Sequence, residues 1–324
     1  MIEIKKNKAK LWSRLGARAT LGQAILEVAK ERDDFYVVSA DLAQSSGFVR
    51  FCEEFPERFI NVGIAEQNMI GVAAGLAKDG TNVFASSFSP FVTMRACEQV
   101  RMNMGYMQMN IKTVGLGSGL AMAQLGNSHF GIEDGAVMRA IPGMTVINPA
   151  DGVEIVKTVE ALCDYNHPAY LRLTGSPSLP IVYEEDIDFQ VGKAIRVREG
   201  KDIAIIATGT MVYYGMKASE ILKEQGIEAA VIDMHTIKPL DTATVDSVLD
   251  KKLIVTVEEA SIVSGLGSAV AEHIAIRKNK PAHLLLGIKD FFPHAGSYQY
   301  LLEQCRLTGE FIAEDIMKAL NLES

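Results

Sequence analysis

One carboxylate, Glu66, occurs in a sequence context suited to a buried acid. It lies in the stretch GIAEQNM at residues 63–69, which follows an apolar run, FINV at residues 59–62, typical of a buried strand. The spacing after Glu66 predicts a helix as far as Lys78, so the acid would occupy a first turn at the end of a parallel strand, where open α/β sheets bind ligands. The simpler alternative is that Glu66 only complements the positive end of this helix, which is worth up to about 1 kcal/mol.

The predicted helix after Glu66 carries unusually little side-chain volume. Its small residues are Gly71, Ala73, Ala74, Gly75 and Ala77. Small residues along a helix allow another backbone to approach closely. We therefore expect a single acid presented at a tight interface.

Several motifs, in their order and spacing, resemble the transketolase family of thiamine diphosphate enzymes. GIAEQNM, the small-residue helix and SFSPF at residues 87–91 resemble the pyrimidine-binding domain of that family. The resemblance runs from Arg18 to the C-terminus, through FQVGKA at 189–194, IKPLD at 237–241 and TVEEASIVSGLG at 256–267. It implies the C-terminal section of the family, an α/β protein with two doubly wound domains, a pyrimidine-binding domain followed by a transketolase C-terminal-type domain.

The same resemblance implies a binding site for thiamine diphosphate. Members of the family need a carboxyl group at the ring nitrogen of the cofactor's aminopyrimidine, and Glu66 matches that acid. Phe88 and Phe91 match the positions that stack on the ring, although core packing would be the simpler interpretation of either one alone. Asp41 and Leu42, in SADLAQSS, match positions near the thiazolium.

Three further residues match substrate-binding positions of the family. His129, in GNSHFG at residues 126–131, matches a histidine that contacts the donor sugar. Arg18 and Ser45 match residues that help to hold the phosphate of the sugar, and Arg suits a bidentate grip on such an anion. A lone histidine in a loop is more often an ordinary surface residue, but its distance from the preceding Gly-rich segment favours a function here.

The substrate-binding pattern is also where this sequence departs from the family. Ser176 stands at a position that is commonly Arg, Gly117 at one that is commonly His, and Leu125 at one that is commonly Asp. Arg172 could compensate for a lost cation, or it could be a strand residue that forms an ion pair. A conventional phosphorylated acceptor is therefore in doubt, whereas the residues for two-carbon transfer are retained.

Composition excludes several classes of protein. The chain has 324 residues, a net charge of -8, 48% hydrophobic and 22% charged residues, which is typical of an ordinary globular protein of two domains. The only basic cluster lies at residues 5–10, so we expect no nucleic-acid partner. No apolar run reaches the roughly 20 residues of a membrane-spanning helix, and the N-terminus lacks a signal-peptide pattern. The four cysteines show no C-x-x-C spacing, which favours a cytoplasmic location and no metal site of this chain's own.

Alternating helix and strand patterns indicate which elements hold these residues. We expect an N-terminal extension at 1–17, a helix capped by Thr20, and strands at 35–40, 82–86, 111–115, 144–148 and 170–173. A helix is expected at 91–104 and another, capped by Asp151, as far as Asp164. These elements would form a mostly parallel pyrimidine-binding domain at 18–175. Residues 176–190 contain two prolines and an acidic cluster, which is a linker composition, and 191–324 are expected to form the second α/β domain.

The sequence also implies a partner subunit. Full-length members of the family hold Mg²⁺ and the cofactor's diphosphate on a preceding domain with a Gly-Asp-Gly motif, and no Gly-Asp-Gly occurs in these 324 residues. We therefore expect the smaller subunit of a split transketolase, assembled with a second subunit as α2β2. It would transfer a two-carbon ketol unit from a ketose to an aldose, and the family pattern implies phosphorylated or otherwise anionic sugars.

Two other interpretations remain open from the sequence. The β subunit of a 2-oxoacid decarboxylating dehydrogenase shares the two-domain layout and the acid, although His129 and the FQVGKA and IKPLD stretches favour transketolase. A catalytically silent assembly subunit is the second alternative. The presence together of Glu66, Phe88 and His129 argues against it.

Overall fold

Two sheets organise residues 2–320, the range that the computed structural model describes. The strands are β1 (Phe35–Ser39), β2 (Phe59–Asn61), β3 (Asn82–Phe88), β4 (Ile111–Leu116), β5 (Thr145–Ile147), β6 (Ala169–Arg172), β7 (Ile195–Arg198), β8 (Ile203–Ala207), β9 (Ala229–Asp233), β10 (Thr236–Lys238), β11 (Leu253–Ser261) and β12 (Ala282–Ile288). The α-helices are α1 (Lys6–Ala29), α2 (Val49–Glu54), α3 (Glu66–Ala77), α4 (Cys97–Val100), α5 (Asp134–Ala140), α6 (Gly152–Asp164), α7 (Met211–Glu224), α8 (Thr242–Asp246), α9 (Leu266–Ile274), α10 (Tyr298–Gln304) and α11 (Gly309–Ala319).

The first sheet has the strand order β10-β5-β6-β4-β3-β1-β2, and the second has the order β12-β11-β8-β9-β7. Strands β1 to β6 run parallel to their neighbours, whereas β10 is antiparallel to β5. In the second sheet only β7, at one edge, is antiparallel. The expected fold class, two doubly wound α/β domains, is confirmed.

Both faces of the first sheet are buried. Successive residues of a strand point to opposite faces, so Val37 packs in the cluster formed with α1 and α6, and Val38 packs in the cluster formed with α3. Strands buried on both faces read as continuous apolar runs, as residues Phe35–Val38 of β1 do. The second sheet is covered in the same way by α7 and α11 on one face and by α9 on the other.

The N-terminal helix differs from its prediction. It begins at Lys6 and is interrupted at Gly16, which has a φ of 76°. The expected cap at Thr20 is wrong, because Thr20 lies inside the helical segment and its buried hydroxyl donates to the Trp12 carbonyl at 3.0 Å. A Cβ on Gly16 would lie 2.4 Å from the carbonyl oxygen of Pro177, so glycine allows α1 to approach the segment after β6.

Other predicted elements are found with small shifts, and a few were missed. Asp151 caps α6 by accepting from the backbone N–H of Glu154, as expected. The predicted helix at 91–104 is interrupted: residues Phe91–Arg95 and Arg101–Tyr106 form π-helical turns on either side of α4. No sequence pattern indicated the short strands β7 and β10. Within residues 2–320, no helix combines the length and apolar character needed to cross a bilayer.

Candidate active site

The predicted site residues follow the carboxyl ends of neighbouring parallel strands. Asp41 and Leu42 come after β1, Glu66 opens α3 after β2, and Phe88 ends β3. His129 lies in the long connection after β4. Because β1, β2, β3 and β4 are parallel, these residues share one edge of the sheet.

Glu66 is buried and held by two side chains. Its side chain is 3% exposed in the chain as described. The Ser87 hydroxyl donates to Oε1 at 3.2 Å, and Nη1 of Arg95 donates to Oε2 at 3.0 Å. A buried carboxylate needs such donors, because leaving it without a partner would cost several kcal/mol. The orientation of Glu66 is therefore fixed by β3 and by the π-helical turn that follows it.

Arg95 is a candidate site residue that the sequence reasoning missed. Its guanidinium carbon lies 4.0 Å from the centre of the Phe91 ring, and its side chain is 48% exposed. A cation over an aromatic face is a favourable arrangement. The signal available in the sequence was the spacing of four residues between Phe91 and Arg95, which brings side chains together on a helical turn.

Three aromatic side chains form one cluster beside this ion pair. The ring centres of Phe88 and Phe91 are 6.0 Å apart, and the ring centre of His129 lies 5.6 Å from that of Phe88 and 5.3 Å from that of Phe91. All three contacts are edge-on, which is a preferred aromatic geometry. Nδ1 of His129 is 2.9 Å from the Ser128 hydroxyl. Four of the predicted residues thus form one group, in which Arg95 connects the buried Glu66 to the three rings.

A buried polar network supports the turn that carries the two phenylalanines. Asp134 accepts from the Ser89 hydroxyl at 2.8 Å, from the Tyr170 hydroxyl at 2.6 Å and from Nε of Arg172 at 2.9 Å. Arg172 also donates to the carbonyl oxygens of Gly131 and Glu259. Burial, followed by the charge of Asp134, raises the pKa of Tyr170 well above its ordinary value. Arg172 is therefore the ion-pair partner of Asp134 rather than a free cation for the substrate.

Asp41 is held in an unusual backbone conformation at the exposed edge of the site. Its φ is 60°, a region that non-glycine residues seldom occupy. The amide of Asn61 bridges it, since Oδ1 of Asn61 accepts from the Asp41 N–H and Nδ2 donates to Oδ1 of Asp41, both at 3.0 Å. Leu42 follows, with its N–H donated to the Ser39 hydroxyl at 3.1 Å. Asn61, another residue that the sequence reasoning missed, fixes the relation between the ends of β1 and β2.

Arg18 lies apart from the aromatic cluster, in a cavity of about 110 Å³ between α1 and the segment after β6. Two of the positions that depart from the family pattern, Gly117 and Ser176, line this cavity with it. Ser45 is half-buried and does not line it, and neither does Leu125, which is 54% exposed. The predicted substrate residues are thus divided between this cavity and the neighbouring surface.

Comparison with known protein families gives two matches that cover most of the chain. Residues 14–176 match the transketolase pyrimidine-binding domain, and residues 192–312 match the transketolase C-terminal domain.

Individual proteins are also similar over nearly their whole length. A 6-deoxy-6-sulfo-D-fructose transketolase subunit of Clostridium sp. (strain MSTE9) is 40% identical over 93% of this chain and 92% of its own. A subunit of the apulose-4-phosphate transketolase of Phocaeicola vulgatus is 37% identical over 85% of this chain and 88% of its own. A solved structure described as a split gene transketolase, inactive β4 tetramer, is 37% identical to this chain, with a TM-score of 0.86. The match covers 96% of this chain and 99% of that one.

Proposed function

Because the chain belongs to the transketolase family, whose pyrimidine-binding and C-terminal domains it matches, we propose that it is the smaller subunit of a split transketolase. In this proposal it transfers a two-carbon ketol unit from a ketose to an aldose, together with a second subunit. The observation that carries the proposal is the buried Glu66 carboxylate, which Arg95 links to the ring cluster of Phe88, Phe91 and His129. The family depends on thiamine diphosphate.

The chemistry of these residues fits the aminopyrimidine end of that cofactor. A buried carboxylate suits a ring nitrogen that must be protonated, and aromatic side chains suit the faces and edges of a flat ring. Glu66, Phe88 and Phe91 would hold the aminopyrimidine, and Asp41 and Leu42 would lie near the thiazolium. When bound, thiamine diphosphate supplies the nucleophilic carbon for the transfer.

Each of the proposed site residues then has a defined role. Glu66 holds a proton at the ring nitrogen, while Ser87 and Arg95 keep its two oxygens in position. His129 contacts the donor sugar through the nitrogen that Ser128 leaves free, since Nδ1 already faces the Ser128 hydroxyl. Arg18 and Ser45 contact the anionic end of the sugar.

We assign the cofactor's diphosphate and Mg²⁺ to the partner subunit. These 324 residues contain no Gly-Asp-Gly motif, and a similar solved protein is described as a split gene transketolase. The partner would approach α3, where Gly71 and Gly75 are exposed and a Cβ added to either would meet no atom within 4 Å. We propose an α2β2 assembly with sites between unlike subunits, and domains at 18–175 and 191–324 joined by residues 176–190.

Reconstitution with a partner subunit that contains Gly-Asp-Gly tests the proposal. We expect the complex to bind thiamine diphosphate and to transfer a ketol unit in a coupled assay. Glu66→Ala and Glu66→Gln should lower kcat by at least about 100-fold, the scale of a lost acid–base group. Glu98→Gln is a matched control, because Glu98 is an exposed acid on the neighbouring helix α4 that pairs with Arg101.

Three results would contradict the proposal. Full activity of the Glu66→Ala complex would support a silent assembly subunit. Decarboxylation of a 2-oxoacid, without ketol transfer, would support the β subunit of a dehydrogenase. Tight cofactor binding and turnover by this chain alone would exclude a site shared with a partner.

A further inference from the structure

We propose that the cavity beside Arg18 binds the far end of the sugar when that end carries a single negative charge, as a sulfonate does, in preference to a phosphate dianion. The inference rests on the proposed function, because it concerns the substrate class of the same enzyme. Two observations support it. Arg18 is the one charged residue among the described residues that line the cavity, and Met122 occupies the space that a side chain at residue 117 would need.

The cavity wall has one cation and is otherwise nearly neutral and apolar. Among the described residues, Arg18 is the only charged residue that lines it, and Ser176 provides the only side-chain hydroxyl. The guanidinium of Arg18 forms no ion pair or hydrogen bond within residues 2–320. The remaining lining residues are Leu15, Gly16, Ala17, Gly117, Ala121, Met122, Leu173, Gly175 and Pro177.

One guanidinium balances one negative charge. A phosphate monoester carries about -1.5 to -2 at pH 7, because its second pKa is about 6. The second charge would have to enter a wall of Leu, Ala and Met without a counter-ion, which is costly. A sulfonate has a similar tetrahedral shape but only one charge, so Arg18 neutralises it completely.

Met122 prevents a second cation from being supplied at residue 117. Gly117 has a φ of 63°, and a Cβ added there would lie 2.3 Å from the sulfur of Met122 and 2.6 Å from its Cγ. The methionine therefore occupies the space that a side chain at this position would need. Gly117 and Met122 together thus keep a second cation out of this part of the cavity.

The test uses the reconstituted complex and three aldose acceptors of equal length that end in a sulfonate, a phosphate or a hydroxyl group. We expect kcat/KM at pH 8 to be at least about tenfold higher for the sulfonate than for the phosphate. The ratio should narrow as the pH falls from 8 to 5.5, because the phosphate becomes a monoanion near pH 6. Arg18→Met should remove the advantage of the sulfonate over both the phosphate and the hydroxyl-terminated acceptor.

Addition of a second cation should reverse the preference. Ser176→Arg is expected to improve the phosphate acceptor relative to the sulfonate by at least about tenfold. Ser178→Arg is the matched control, because Ser178 is exposed and does not line the cavity. A wild-type preference for the phosphate at pH 8 would overturn the inference, and so would a sulfonate preference that Arg18→Met leaves unchanged.

A binding measurement separates failure of this inference from failure of the proposed function. If no acceptor reacts, the proposed function is wrong, and the charge preference is then decided on the isolated chain. The Met122 methyl signal in NMR should shift on titration with 2-hydroxyethanesulfonate at lower concentration than with 2-hydroxyethyl phosphate at pH 8. Equal or reversed affinities would contradict the inference.

Discussion

Glu66 exchanges water for two protein donors of different kinds, a hydroxyl group and a half-exposed guanidinium. Hydrogen bonds to a charged group contribute about 1.5–3 kcal/mol, but a partner open to solvent contributes less. Arg95 also rests on the Phe91 ring, so the same residue links the acid to the aromatic cluster. We infer that Arg95 is a positioning residue for Glu66.

A double-mutant cycle on the isolated chain should detect this link. The variants are Glu66→Gln, Arg95→Met and the two combined, with free energies of unfolding measured in urea. We expect a coupling energy of about 1 kcal/mol, because the acid is buried even though its partner is half-exposed. Thermodynamic stability is the readout, so the result does not depend on the partner subunit.

The pair Glu98 and Arg101 provides the control for this cycle. Both side chains are exposed and lie three residues apart in an ion pair of 3.1 Å. Their coupling should be no more than about 0.5 kcal/mol. Effects of Glu66→Gln and Arg95→Met that simply add would show that the contact does not position the acid.

At this scale the sequence indicated which residue types lie at the site but not how they are held. Glu66, Phe88, Phe91 and His129 could be proposed as site residues because the motifs around them are local in sequence. Asn61 and Arg95 could not, since the contacts that they make depend on how β1, β2 and the π-helical turn are arranged in space. The role of Arg172 depends on its buried pairing with Asp134, a tertiary contact that the sequence does not indicate.

Helix α3 has one face that packs in the core and one that packs against nothing in the described part of this chain. Met69, Ile70 and Ala73 are buried against the first sheet. Gln67, Gly71 and Gly75, at intervals of four residues, are exposed. Glycine inside a helix lowers stability by roughly 0.5–1 kcal/mol relative to alanine. Two glycines on one exposed face therefore destabilise the isolated chain without making a contact that offsets the loss within its described residues.

Gly71→Leu and Gly75→Leu should therefore separate folding from assembly. A new side chain has open space at both positions, so we expect the isolated chain to keep or slightly increase its melting temperature. Association with the partner subunit should fall by at least about tenfold, because the close approach of another backbone is blocked. Calorimetric melting and analytical ultracentrifugation measure the two effects.

Glu224→Leu is the control for these two variants. It adds a leucine to an exposed position of α7, in the other domain, and should leave assembly intact. Normal assembly of the two glycine variants would exclude the α3 face as the contact with the partner.

The elements themselves were largely predictable where they are long and periodic. Strand β8 and the first four residues of β1 are continuous apolar runs, and α6 has a recognisable cap in Asp151. The short strands β7 and β10 were missed because three or four residues carry too little periodicity, and each forms only by pairing with a distant strand. The kink in α1 was missed because its cause, the approach of Pro177 to Gly16, is a tertiary contact.

Over the whole molecule, a buried pair of carboxyl groups joins the two halves of the chain. Glu154, on α6, interacts with Asp233 at the end of β9, and Tyr183 between them donates to Asp233 at 2.8 Å. Oε1 of Glu154 and Oδ1 of Asp233 are both buried and have no donor among the described residues. One proton shared between the two groups would satisfy both oxygens.

The stability of the protein should depend on pH through this pair. Burial raises the pKa of Asp233 from its ordinary 3.8 to about 7, and burial followed by the charge of Asp233 raises the pKa of Glu154. The folded chain thus keeps a proton that the unfolded chain loses above about pH 4. The free energy of unfolding contributed by the pair therefore falls as the pH rises from about 4 to about 7.

Asp233→Asn should remove much of this dependence, because an amide resembles the protonated acid and can donate to Glu154. Relative to the wild type, the variant should gain about 1 kcal/mol or more in stability between pH 5 and pH 8. Urea denaturation at each pH measures the difference. Asp250→Asn, at an exposed position, should follow the wild type at every pH. A constant difference between Asp233→Asn and the wild type would show that the pair does not titrate in this range.

Strand β10 extends from the second domain to the edge of the first sheet. Residues Thr236–Lys238 follow the first three strands of the second sheet in sequence, yet they pair with β5 at the border of the first. The Lys238 ammonium group further donates to the carbonyl oxygens of Arg139 and Ile141. A fragment cut at the linker would leave the backbone of β5 bare, and bare strand edges invite aggregation. The first sheet is therefore complete only after the second half of the chain, which contains β10, has been synthesised.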